Sequence, residues 1–138
     1  MIEQADELMS SIARGDRGAL GELLEAGADA NARDRWGATA LYHAAAKGDE
    51  ATVRLLLAYG ADTNKTSDVG NSPLMAAAGR GHVAVVRLLL QHGTDAGVRN
   101  KWGLGAAEWA KWAPEPAEVL ALLQGAAQNR GWLDSGRD

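Results

Sequence analysis

The chain of 138 residues has no cysteine and no phenylalanine, and only three prolines. Without cysteine there is no disulfide, no thiolate metal ligand and no thiol nucleophile, so three sources of stability and chemistry are excluded together. No apolar run approaches the ~20 residues that a membrane-spanning helix needs. The first residues, MIEQADELMSSIARGD, are acidic and amphipathic, and lack the basic stretch followed by an apolar run that marks a secretory leader. A cytoplasmic location is therefore expected. A net charge of -4 and a pI near 5.3 argue against general affinity for nucleic acid, which needs an excess of phosphate-neutralising cations. The length suits one domain, 46% hydrophobic residues suffice for its core, and no spare domain for catalysis is expected.

What the chain has in abundance is glycine at regular intervals. Gly15, Gly48 and Gly81 are 33 residues apart, and so are Gly27, Gly60 and Gly93. Asp29, Asp62 and Asp95 keep the same step, as do Trp36, Val69 and Trp102, each of which precedes a glycine. Self-similarity at this period means stacked supersecondary units, each burying against its neighbours an apolar side that it cannot bury alone. The clearest unit is Gly70 to Asp95, GNSPLMAAAGRGHVAVVRLLLQHGTD. Ser72 can cap a helix that starts at Pro73, and Leu74, Ala77 and Ala78 form a narrow apolar stripe. Val83, Val86, Leu89 and Leu90 give a second helix one apolar face opposite Arg87 and Gln91. Gly81 and Gly93 each follow a helical run, where a residue without a Cβ can close the helix.

These residues resemble the ankyrin repeat family. The resemblance is carried by Gly70, Ser72-Pro73-Leu74, Ala77-Ala78, Gly81-His82, Val86, Leu88-Leu89-Leu90, His92-Gly93 and Asp95. Gly37, Thr39, Leu41, Ala44-Ala45, Gly48, Leu55-Leu56-Leu57, Gly60-Ala61-Asp62 and Asn64 carry it in the preceding unit. Tyr42 and Met75 stand where the family usually has histidine, and Ala40 replaces a proline. The resemblance implies an all-α solenoid of helix-turn-helix units with β-hairpin-like fingers. Residues 1–127 form the domain: an N-terminal capping repeat at 1–33, central repeats at 34–66 and 67–99, and a degenerate C-terminal capping repeat at 100–127. The first repeat is read with Asp6 as N-cap and with Ser10 and Ser11 on a polar outer side. In the last, Pro114 is expected to end the first helix and Pro116 to begin the second. Residues 128–138 are expected to be a flexible tail.

No catalytic or metal-ligating set is legible, and no cofactor is expected. His43, His82 and His92 read as structural, Ser72 and Thr39 as helix caps, and the aspartates at the repeat period as turn formers. Two features point to recognition. Arg14, Lys47 and Arg80 each precede the glycine closing a first helix, so stacking should set them ~10 Å apart along one edge. Arg35, Arg99, Lys101 and Lys111 add to this charge, which suits a partner with an acidic surface. Four of the five tryptophans, Trp36, Trp102, Trp109 and Trp112, lie in fingers or first helices, and tryptophan with arginine is the usual makeup of an interface hot spot. Trp109 is read as a plug for the thin last repeat. The resemblance implies a concave binding face, with the contact set Arg35, Trp36, Lys47, Asp68, Val69, Asn71, Arg80, Lys101, Trp102, Leu104 and Trp112. The expected function is non-enzymatic binding of another protein, as adaptor or as an inhibitor or immunity-type protein, by a monomer or weak homodimer. RNA or polyanion binding through Arg14, Lys47 and Arg80, and a homo-oligomeric structural role, are the alternatives.

Overall fold

The computed structural model describes residues 4–136, with side chains from 5 to 126. Among the described residues eight helices follow one another as four antiparallel pairs: α1 (Gln4–Arg14) with α2 (Arg17–Glu25), α3 (Ala40–Lys47) with α4 (Glu50–Ala58), α5 (Pro73–Arg80) with α6 (Val83–Gln91), and α7 (Ala106–Ala110) with α8 (Pro116–Gly136). The first helices α1, α3, α5 and α7 pack side by side in one row, and α4, α6 and α8 in a second.

Local chemistry explains each boundary. Thr39 and Ser72 are extended residues whose hydroxyls accept the N–H of Tyr42 and Met75, satisfying donors that the first helical turn cannot pair internally. Asp16 and Asp49 cap α2 and α4 in the same way. His82 stands at the next step of that series and does something else. Its Nε2 lies 3.0 Å from the carbonyl of Ala46, tying α5 and α6 back to the preceding repeat. Gly48, at φ 72°, leaves the space for this ring, since a Cβ there would sit 2.5 Å from the imidazole.

The core is one continuous layer between the two rows. Leu8, Leu41, Leu74, Leu20, Leu56 and Leu89 are almost wholly buried, with Ala44, Ala45, Ala77 and Ala78 between them. Small residues on the first helices let neighbouring rows approach, while the leucines of the second helices fill the remaining volume. The apolar face of α6 is wider than its three-and-four spacing suggests. Val85 and Leu88 are buried along with Val86 and Leu89, because α6 is covered by α5 and by both neighbours in its row.

Several boundaries differ from the sequence reading. α1 begins at Gln4, so Asp6 lies in its first turn, where it favours the helix electrostatically, and is not the N-cap. Ser11 is buried and donates to the carbonyl of Leu8, so it does not belong to the polar outer side. α7 stops at Ala110, ahead of Pro114, as 3₁₀-type bonds from Trp112 and Ala113 to the carbonyls of Trp109 and Ala110 tighten its end. α8 does start at Pro116, but its backbone continues through 128–136, the stretch set apart from sequence as a tail. Residues 137 and 138 lie outside the described part.

The fingers carry one isolated antiparallel bridge, Arg33 to Thr39, and no extended strand among the described residues. Each is nonetheless closed by an equivalent backbone bond, Asp34 to Ala38, Ser67 to Asn71 and Asn100 to Leu104. Adjacent fingers are joined by Asp68 N–H to Trp36 O and by Lys101 N–H to Val69 O. Three separate loops thus become one ladder along the stack.

Candidate binding groove

The finger tips are shaped by the residue two positions before each tip. Asp34 Oδ1 accepts the N–H of Trp36 and of Ala38, and Asn100 Oδ1 accepts those of Trp102 and Leu104, holding both turns rigid. Arginines latch the outer fingers from one side: Arg33 Nη1 donates to Gly37 O at 2.9 Å and Thr66 O at 2.5 Å, and Arg99 Nη1 to Gly103 O at 2.8 Å.

These rigid turns present two large apolar side chains to solvent, Trp36 at 64% and Trp102 at 62% exposure. A cation covers each ring: the Arg35 guanidinium lies 5.0 Å from the Trp36 centroid, and Lys101 Nζ 5.4 Å from that of Trp102. The middle finger differs. Val69 is half-buried, and the exposed Asp68 has no ion pair among the described residues.

Beside Trp36 lies a groove of about 590 Å³. Its floor is Met9, Ile12 and Ala13 of α1 with Ala46 of α3; the first finger supplies one wall, and Arg80 reaches in from α5. His43 and Asp34 stand on the finger side, with His43 Nε2 2.6 Å from Asp34 Oδ2. Burial works to raise the Asp34 pKa, but the bonds from His43 and from the N–H of Trp36 and Ala38 outweigh it and hold the carboxyl below its ordinary value. Asp34 is therefore a carboxylate with both oxygens hydrogen-bonded to the protein itself. Lys47 Nζ donates to the carbonyls of Ile12 and Ala13 at 2.8 and 3.1 Å, closing the C-terminal end of α1. Arg80 is exposed and makes no ion pair among the described residues. Its charge opposes the upward pull that burial exerts on the nearby Tyr42 hydroxyl.

Of the residues singled out from sequence, the groove brings together Arg35, Trp36, Lys47 and Arg80. Arg14 is not one of its walls. It bonds Ser10, approaches Asp16 at 4.0 Å, and faces a separate outer groove with Asp6, Glu7 and Glu22. The row of three equivalent cations is thus three different environments. Asn71 accepts from Asn100 Nδ2 and Leu104 is half-buried against its own finger, so both serve the ladder. Trp112 is 64% exposed at the far end, 5.8 Å from Trp109, whose ring packs over Gly79 of α5 as the plug reading expects. Sequence reading missed Met9, Asp34 and His43 as groove residues. Asp34 and His43 are nine positions apart, and only the finger folding back on α3 joins them.

Among the described residues no three His, Asp or Glu side chains gather as metal ligands would, and no helix is long and apolar enough to cross a membrane. A search of curated proteins finds no match. The model of the ankyrin repeats, in three copies, matches residues 8–100, ending just before the helix pair α7 and α8 that continues the stack. With two thirds of its length matched and the expected stack of helix pairs present, the chain belongs to the ankyrin repeat family.

Proposed function

We propose that this protein is a non-enzymatic binding module that holds a partner protein against its concave face and finger tips, as an adaptor or as an inhibitor of the immunity type. Ankyrin repeats are generally protein-interaction modules, and this gives the coarse class. The observation that carries the reading is the pair Trp36 and Trp102, two periods apart on one hydrogen-bonded ladder, each exposed and each under its own cation. Rigid turns lose little ordering entropy on binding, and an exposed Trp with a neighbouring cation supplies the desolvation and directional charge of a hot spot.

The test is retention of partners from the source cell by tagged wild type and by the Trp36→Ala/Trp102→Ala variant, identified by mass spectrometry after nuclease treatment. Both tryptophans are exposed, so the variant keeps its helical content. A protein retained by wild type and lost by the variant supports the reading; equal retention by the two overturns it. Retention of nuclease-sensitive material alone moves the function to polyanion binding.

A further inference from the structure

We propose that the groove beside Trp36 docks one acidic and apolar segment of the partner protein, with a carboxylate set between Arg80 and Arg35 and the adjacent apolar side chain seated on Met9, Ile12 and the Trp36 ring. Docking here presupposes the protein-binding reading above and names the chemistry that its central groove selects.

Charge accounting carries the first half. Three cationic groups line the groove, and none forms an ion pair among the described residues: Arg35 lies over Trp36, Lys47 is turned onto backbone carbonyls, and Arg80 is open. Of the two carboxylates in the lining, Asp34 accepts from His43 Nε2 and from two backbone amides, so its oxygens are already engaged within the protein. Asp6, the other acid of the lining, is on the α1 side of the groove, in the first turn of that helix. The side of the groove next to Trp36 therefore presents cations without an ion-pair partner among the described residues, over a floor that is mostly hydrocarbon, and an ion pair formed there is less screened by water than one on an open surface.

Shape and composition carry the second half. A volume of about 590 Å³ is within the range of sites that enclose a ligand of several residues' side chains. Buried Ile12 and half-buried Met9 and Ala46 form its floor, and the flexible thioether of Met9 adapts to the shape of an incoming apolar group. His43 takes part as a positioning residue. By holding Asp34 it fixes the finger that carries Arg35 and Trp36, and keeps that carboxylate from competing with the partner's.

The experiment uses the full chain and fluorescein-labelled heptapeptides with a central Leu or Trp flanked by two Glu, with matched sets in which Gln or Lys replaces Glu, read by anisotropy. The acidic set is expected to bind at least tenfold more tightly than the Lys set, with the Gln set between. Arg80→Glu should lower affinity for the acidic set at least tenfold and raise it for the Lys set; Arg80→Gln should lower the first without raising the second. Circular dichroism confirms that both variants fold, as an exposed side chain with no internal partner predicts. Equal binding of the acidic and Lys sets by wild type, or an unchanged preference in Arg80→Glu, overturns the proposal. So does displacement of the acidic set by poly-uridylate at physiological salt, which would assign the groove to a nucleic acid. Self-association that is abolished by Arg80→Glu, seen by sedimentation, would assign it to a second copy and overturn it equally. If the peptides fail while wild type still retains a Trp36- and Trp102-dependent partner, the protein-binding reading stands and only the groove chemistry falls.

Discussion

The third and fourth helix pairs occupy equivalent places in the 33-residue period and solve the packing problem differently. α5 is enclosed between α3 and α7, and Pro73 to Ala78 are buried without exception, so only small residues fit at its crossing points. Within its row, α7 packs on α5 and has no second neighbour among the described residues. It is five residues long, has Gly105 at its N-cap with no side chain to cap it, and relies on Glu108 Oε1 accepting the Gly105 N–H at 2.7 Å. Trp109 then fills the thickness that a longer helix would have supplied, resting 3.0 Å from where a Cβ on Gly79 would stand. An interior repeat is constrained from both faces, whereas an end repeat trades fit for bulk on its inner face and is released on its outer one.

The sharpest way to break this comparison uses equivalent leucines one period apart. Leu89 of α6 is fully buried, while Leu122 of α8 is half-buried. Leu89→Ala should cost about 2–5 kcal/mol through lost transfer energy and a residual cavity. Leu122→Ala should cost only about 1 kcal/mol, because part of its surface is already in water. Urea denaturation measures both, and equal losses would mean that the end repeat is as confined as the interior.

Glycines at matched positions give a smaller effect. Gly48 and Gly81 close α3 and α5 with φ of 72° and 76°, but a Cβ on Gly48 meets the His82 ring at 2.5 Å, whereas one on Gly81 meets Ala113 at 3.4 Å. Gly81→Ala should cost about 1 kcal/mol of left-handed strain. Gly48→Ala should cost about 2–3 kcal/mol, since the ring must also move away from the carbonyl of Ala46. The thermal midpoints of the two variants test the difference.

Acid sensitivity compares the repeats by charge. In the interior, burial raises the Asp49 pKa but bonds from the Thr52 side chain and N–H and the charges of Arg17 and Lys47 prevail, so the carboxyl titrates below its ordinary value. In the end repeat Glu108 is lowered by its bond from Gly105, against a small effect of burial and helped by Arg99. A folded-state pKa depressed below the unfolded one contributes stability that is present above the unfolded value and lost as pH falls through the folded one. Stability should therefore fall below about pH 4. Asp49→Asn and Glu108→Gln should each flatten that fall, by about 1 kcal/mol or less. Thermal melts from pH 3 to pH 7 check the sign, and a steeper fall in either variant would overturn it.

The smallest effect concerns Lys47. If its ammonium closes α1, Lys47→Met should cost about 0.3–1 kcal/mol, with exchange protection lost first at the end of α1. Unchanged protection there would leave Lys47 available to a partner alone.

Repetition made most of the fold legible. Thr39, Ser72 and the glycines at the repeat period mark helix ends by chemistry that acts within four residues, and the period itself fixes which elements become neighbours. Asp6 was misread because a capping residue and a first-turn acid look alike until the helix start is known. α7 ends ahead of the proline because 3₁₀-type bonds from Trp112 and Ala113 tighten its last turn, a choice that residue spacing does not report.

By itself, then, the sequence determined the repeat, the caps, the apolar ladder and the placing of Trp36 and Trp102 at finger tips, since each follows from local preference or from the 33-residue step. The tertiary structure decided which charges are left over. Whether Asp34 meets His43, whether Lys47 reaches the carbonyls of Ile12 and Ala13, and whether Arg14 shares a groove with Arg80 depend on distances of a few ångströms between repeats. Electrostatic partners are chosen across space at that range, and one-dimensional spacing carries no record of them.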